Sequence, residues 1–129
     1  MYKELVISII LVCLIFIGDY FTQNYTKKTI KSINLNLSEL KKELVAENVD
    51  INKISENIEN LEKNWEKSNK KLAYFIEHNE LEKVENNLVG CKSYLESYEF
   101  TEGKEKIDEI SFILKHIEDK NRFNLKNLF

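Results

Sequence analysis

Residues 51–76 read INKISENIENLEKNWEKSNKKLAYFI, and the spacing of their apolar side chains decides the fold class. These side chains follow one another at alternating intervals of three and four residues: Ile51, Ile54, Ile58, Leu61 and Trp65. Such intervals place side chains on one face of an α-helix, because about 3.6 residues complete one turn. The stretch therefore predicts an amphipathic helix with a single apolar seam.

The same spacing recurs on both sides of this stretch, in runs that begin at Ile30, Leu81 and Ile107. The chain has no proline and only three glycines, which favours helices over strands and tight turns. We predict an all-α fold with about four amphipathic helices, near 22–47, 51–76, 80–98 and 102–120. The predicted core residues are Leu40, Leu44, Ile58, Leu61, Trp65, Leu88, Leu95, Ile110 and Leu114.

The predicted connections between these helices are short, and short connections make neighbouring helices antiparallel. Asp50 and Asn79 precede the second and third helices and are residue types that cap helix N-termini. The alternative is a parallel coiled-coil dimer built on the first apolar run. That run spans two heptads (Ile30 to Leu44), too short to argue for a coiled coil. We therefore expect an intramolecular bundle and leave homo-oligomerisation open.

The N-terminus carries a run of fourteen uncharged residues from Leu5 to Gly18, LVISIILVCLIFIG. Tyr2 and Tyr20 flank it, and a helix between them is roughly 27 Å long, close to the ~30 Å of a bilayer's hydrocarbon core. Gly18 is the only small residue at the end of the run, so a signal-peptidase site is not expected. Residues 1–21 are thus predicted to be an uncleaved transmembrane signal anchor.

Features of the sequence conflict on the orientation of this anchor in the membrane. Lys27, Lys28 and Lys31 follow the run whereas only Lys3 precedes it, and a lysine count alone would keep the following domain in the cytoplasm. Long domains, however, translocate largely regardless of charge, and Asp19 lies closer to the run than those lysines. We expect a single-pass protein of the cell membrane with an extracytoplasmic helical domain.

Charge and motif content exclude several function classes. The chain has 22 acidic and 19 basic residues, interspersed, with a net charge of -3, so no basic face for nucleic acid is expected. Cys13 and Cys91 are too few and too far apart for a disulfide framework. His78 and His116 each stand among surface carboxylates, whereas zinc needs three or four converging ligands. No catalytic motif is recognisable, and we expect neither enzyme activity nor a metal or cofactor.

Several aromatic and apolar residues are left without an obvious place in the core. Tyr74 and Phe75 are adjacent, so both rings cannot face the same seam, and His78 follows in the next turn. The tail, residues 121–129, is too apolar for a free end, and it could dock on the bundle or contact the membrane. The candidate partner-contact residues are Tyr74, Phe75, His78, Phe123, Leu125, Leu128 and Phe129.

Two segments resemble a known family: LEKNWEKSNKKLAYFIEHNELEKVENNL from Leu61 and FILKHIEDKNRFNLKNLF from Phe112. Together with the apolar N-terminus they resemble an uncharacterised family, a domain of unknown function, of short single-pass membrane-anchored helical proteins from low-GC Gram-positive bacteria. Family members carry a tryptophan before acidic and basic residues, as at Trp65 here, and often a second tryptophan where Tyr74 stands. The resemblance implies no known activity. It implies a membrane partner, because the family's genes are associated with a neighbouring gene for a multi-pass membrane protein.

These observations favour a membrane-anchored structural or accessory protein that binds an integral membrane partner. The alternative is an extracytoplasmic helical bundle that senses a ligand, because four-helix bundles can hold small molecules between their helices. Only about four residues precede the apolar run, so a sensor of this kind would have to signal through a partner.

Overall fold

The computed structural model describes the backbone of residues 1–128 and the side chains of residues 1–122. It contains four α-helices: α1 (Tyr2–Leu44), α2 (Ile51–Leu72), α3 (His78–Glu96) and α4 (Phe100–Leu128). Each helix packs against two others in the ring order α1–α2–α3–α4, and the contact between α2 and α3 is the least extensive. The prediction of an all-α fold is confirmed.

The first helix, α1, comprises two elements that were predicted separately. Residues 1–21 and 22–47 were predicted as an anchor and a bundle helix, yet α1 is a single helix of 43 residues. The join is uninterrupted because no glycine or proline stands between Phe21 and Ile30. Residues 2–18, here called the apolar segment, are exposed along their whole length.

The apolar segment is long and apolar enough to cross a membrane. An 18-residue window of α1 has a mean hydropathy of 2.4, and none of that window is buried in the bundle. From Thr26 onward α1 buries one face, which includes Ile30, Ile33 and Leu37. We call the end of the bundle nearest the apolar segment the basal end, and the opposite end the distal end.

Long-range side-chain contacts show that neighbouring helices run antiparallel. Between α1 and α4, Lys41 Nζ lies 2.7 Å from Asp108 Oδ1 towards the distal end. Towards the basal end, Asn121 Nδ2 donates to Thr26 Oγ1 at 3.3 Å. Residue numbers therefore rise along α1 in the direction in which they fall along α4, so the two helices are antiparallel, as in an up-and-down bundle.

The apolar seams meet in one core. The residues predicted for this core are all buried: Leu40, Leu44, Ile58, Leu61, Trp65, Leu88, Leu95, Ile110 and Leu114. Burying one such side chain contributes about 1.5–3 kcal/mol. The Trp65 Nε1–H is also buried, and it has no hydrogen-bond acceptor among the described residues.

The helix ends differ in part from the predictions. Asp50 caps α2 as predicted, since its Oδ1 accepts hydrogen bonds from the backbone N–H groups of Asn52 at 3.0 Å and Lys53 at 3.4 Å. The cap predicted at Asn79 is wrong, because α3 begins at His78 with Asn79 inside it. Residues 121–128, predicted as part of a separate tail, continue the backbone of α4.

Candidate functional site

The connection between α2 and α3, residues 73–77, lies at the basal end. α2 ends at Leu72, four residues before its predicted end. The backbone N–H groups of Tyr74 and Phe75 donate to the carbonyls of Lys71 and Leu72 at 3.2 and 3.1 Å, which tightens the chain into i→i−3 turns. In this tight turn the consecutive rings of Tyr74 and Phe75 differ sharply in burial.

Phe75 faces the bundle. Its ring lies edge-on to that of Tyr25, with centroids 6.1 Å apart and planes at 83°, and it packs against the buried core. Lys71 Nζ lies 5.7 Å from the centroid of the same Tyr25 ring. A cation over an aromatic face and an edge-to-face ring pair each stabilise a contact by about 0.5–1 kcal/mol. Tyr25 thus fixes the α2–α3 connection against α1.

Tyr74 faces away from the bundle. Its side chain is 89% exposed, so it contributes almost nothing to the packing of its own chain. His78 is close by at the start of α3, and its exposed ring lies 4.0 Å from Glu82 Oε2. The structure therefore brings Tyr74, Phe75 and His78 onto one connection. The side chains of Phe123, Leu125 and Leu128, and all of Phe129, lie outside the described residues.

A carboxylate that sequence reasoning did not single out is buried beside this connection. Glu80 is 8% exposed, and its Oε1 lies 3.9 Å from both His116 Nε2 and Lys83 Nζ. Nearby, Lys120 Nζ lies 3.2 Å from Glu77 Oε1. At the basal end the Glu80–His116 pair joins α3 to α4, and the Glu77–Lys120 pair joins the α2–α3 connection to α4. Only the Glu80–Lys83 spacing could be read from the sequence, since the other partners are far apart along the chain.

A polar cleft opens between α1 and α4 just beyond the apolar segment. This basal cleft has a volume of about 390 Å³. It is lined by Tyr20, Gln23, Asn24, Thr26, Lys27, Glu118, Asn121 and Arg122. Asn121 ties its two walls together through Thr26, whose hydroxyl donates in turn to the carbonyl of Thr22 at 2.8 Å.

A larger groove runs between α2 and α3, where the two helices pack least. This α2–α3 groove has a volume of about 650 Å³, and Ile54, Ile58 and Leu95 are among its apolar lining residues. Lys92 Nζ lies 3.0 Å from Glu62 Oε1 across the groove. The hydrogen bond to Glu62, together with the negative charge of that carboxylate, raises the pKa of Lys92.

One residue of the groove has an unusual backbone. Tyr98 has a φ of 59°, in the left-handed region that favours glycine, and it lines the groove at the end of α3. Its ring is edge-on to that of Phe100, with centroids 6.3 Å apart. An aromatic residue is therefore held in a position where helices commonly end in glycine.

Nucleophilic or metal chemistry finds little support in the described part of the chain. No three His, Cys, Asp or Glu side chains among those residues are grouped so that they could hold a metal ion. Burial raises the pKa of the Cys91 thiol from 9.0 to about 12. At neutral pH this sulfur is therefore protonated, and the thiol is a poor nucleophile.

Comparison with known proteins identifies a matching family model. The family model described as "Domain of unknown function (DUF4363)" matches residues 20–128, a range that comprises the bundle and leaves out the apolar segment. No curated protein and no solved structure matches the chain.

Proposed function

This chain belongs to the DUF4363 family, whose function is unknown, and we propose that it is a membrane-anchored accessory protein that binds an integral membrane partner through its basal end. The anchor in this proposal is the apolar segment. Its seventeen helical residues extend about 26 Å, close to the ~30 Å hydrocarbon core of a bilayer. Their complete exposure supports a lipid environment, because soluble proteins rarely expose apolar surface of this extent.

The observation that carries the proposal is the exposed Tyr74 at a fixed height above the apolar segment. Phe75 contacts Tyr25, which follows Gly18 by seven residues, or roughly 10 Å along α1. This height is just beyond the headgroup layer, within reach of the extramembrane loops of a neighbouring protein. Exposed tyrosine is enriched at protein interfaces because it combines a large apolar ring with a polar tip.

We place the bundle on the extracytoplasmic side, with residues 1–4, at the start of the apolar segment, on the cytoplasmic side. Ser97 is exposed at the distal end, far from the apolar segment, and suits a topology probe. In a variant without Cys13 and Cys91, we expect Ser97→Cys to react with a membrane-impermeant thiol reagent on intact cells. Reaction only after the cells are lysed would reverse the orientation.

Photo-crosslinking in living cells tests the partner. Probes placed at Tyr74 and His78 are expected to capture the same membrane protein, and a further probe at Phe123 extends the test to the tail. A probe at Lys63, which is exposed on α2 away from the basal end, is the control and should not capture that protein. Capture of nothing, or only of further copies of this chain, would refute the proposal.

A second function, ligand sensing by the bundle, is favoured by the α2–α3 groove. Its volume of about 650 Å³ lies within the ~300–1,000 Å³ of typical small-molecule sites, and part of its lining is apolar. A ligand of this groove should raise the melting temperature of the bundle, and Leu95→Ala should reduce that rise. A broad ligand screen without any shift would count against sensing and leave the partner proposal intact.

A further inference from the structure

The basal cleft lies at a depth that limits what can occupy it. Its lining on α1 extends from Tyr20 to Lys27, which follow Gly18 by two and nine residues, or about 3 and 14 Å along α1. If the apolar segment spans the hydrocarbon core, the lower part of the cleft lies at the depth of the phospholipid headgroups and its upper part lies just beyond them. A headgroup phosphate is then the most abundant anionic group beside the cleft.

The cleft is lined by two cations, Lys27 and Arg122, and one carboxylate, Glu118. Two further carboxylates lie beside the lining, Asp119 next to Arg122 and Asp19 next to Gln23. Lys27 forms no ion pair with any side chain that the structure describes. Arg122 Nη2 lies 4.0 Å from Glu118 Oε1 and 3.6 Å from Asp119 Oδ1, distances longer than a hydrogen bond. Both cations can therefore take up an anionic ligand without first breaking a tight ion pair.

The polar side chains beside these cations add hydrogen-bonding capacity. The Asn24 amide makes no hydrogen bond within the described residues. Asn121 uses one of its two N–H donors for Thr26 and keeps the other. Arg122, the only arginine in the sequence, presents a planar fork of donors that matches two phosphate oxygens.

We propose that the basal cleft binds the phosphate of an anionic phospholipid whose headgroup is otherwise uncharged, such as phosphatidylglycerol. Arg122 and Lys27 contact the phosphate, Asn24 and Asn121 donate hydrogen bonds to it, and Glu118 accepts hydrogen bonds from the headgroup hydroxyls. Lys27 and Arg122 supply the positive charges that attract the single negative charge of such a lipid. This inference rests on the membrane anchor of the proposed function.

The test uses the full-length chain in nanodiscs made of equal parts phosphatidylcholine and phosphatidylglycerol. After gentle release, native mass spectrometry counts the phospholipids that remain bound. We expect one phosphatidylglycerol to be retained in preference to phosphatidylcholine. Arg122→Gln should lower this retention about tenfold, as for the loss of one charge-assisted hydrogen bond, and Lys27→Gln about threefold, as for one exposed ion pair. Lys42→Gln, at the distal end of α1, is the matched control and should not change it.

Further arms separate the lipid from free phosphate and the site from the anchor. Glycerol phosphate or inorganic phosphate that displaces the lipid at millimolar concentration would overturn the assignment to a lipid. Equal retention of the two lipids, or retention unaffected by both cleft variants, would overturn the site alone. A chain that does not enter nanodiscs would overturn the anchor and this site with it.

Discussion

Adjacent aromatic residues on the α2–α3 connection provide a sharp test of the basal end. Phe75 is partly buried against the core and Tyr25, whereas Tyr74 is 89% exposed. Truncation of a fully buried phenylalanine to alanine costs about 3–5 kcal/mol. For the half-buried Phe75 we expect Phe75→Ala to cost about 2 kcal/mol, of which roughly 1 kcal/mol is the ring pair with Tyr25. Tyr74→Ala should change stability by less than about 0.5 kcal/mol.

Thermal unfolding of the fragment 20–129, followed by far-ultraviolet circular dichroism, measures both effects. A loss of about 2 kcal/mol should lower the melting temperature of a bundle of this size by roughly 10 °C. A double-mutant cycle with Tyr25→Ala isolates the ring pair, because each single variant removes the same contact. We expect a coupling of about 1 kcal/mol between Tyr25 and Phe75 and none between Tyr25 and Tyr74.

The two substitutions should separate stability from partner binding. Tyr74→Ala is expected to abolish capture of the partner in cells while the bundle melts as the unaltered protein does. If Tyr74→Ala destabilised the bundle as much as Phe75→Ala, the assignment of the inward ring would be wrong. If Phe75→Ala left the melting temperature unchanged, the connection would not be held against α1 in the way described.

Three further predictions concern other parts of the chain. Deleting residues 1–18, which are exposed, should yield a fragment whose free energy of unfolding in urea is within about 0.5 kcal/mol of that of the full chain in detergent micelles; a larger loss would show that these residues stabilise the bundle. Asp50→Ala should cost about 1 kcal/mol in the same assay and Asp50→Asn much less, because asparagine also caps helices; equal costs would refute the capping role. Burial raises the pKa of Cys91 from 9.0 to about 12, so the unfolded thiol ionises first and stability should fall as pH rises from 9.0 towards 12. Urea unfolding at about pH 8 and about pH 10 should show this fall, and Cys91→Ala should reduce it.

Local periodicity predicted the helices because the spacing of apolar residues along a helix is a direct consequence of burying one face. Ile58 and Leu61 are at the right spacing to lie in the core, and both are buried. The absence of glycine and proline between Phe21 and Ile30 explains why the apolar segment and the first bundle helix are continuous. The short predicted connections likewise indicated that consecutive helices are antiparallel, because a short loop leaves no room for the next helix to run in the same direction.

Features that depend on the relative height and rotation of two helices could not be predicted in this way. The contact between Tyr25 and Phe75, and that between Glu80 and His116, join residues 50 and 36 positions apart. The spacing of residues within one helix does not predict such contacts. A small axial shift of one helix relative to the other would bring different side chains together. The α2–α3 groove could not be predicted from the sequence either. The apolar residues of α2 have the same spacing as those of the helices that pack closely.

The continuity of α1 has a mechanical consequence. No proline or glycine stands between the apolar segment and the bundle, so this part of α1 has no hinge at which it could bend. A change in the tilt of the apolar segment therefore tilts the bundle with it. Residues 19–44 extend roughly 39 Å beyond the apolar segment, so a 10° change in its tilt would swing the distal end sideways by about 7 Å. Bilayers of different thickness impose different tilts on a helix of fixed length. If the apolar segment spans a bilayer as proposed, the angle between the bundle and the membrane would therefore change with the thickness of the lipid around it.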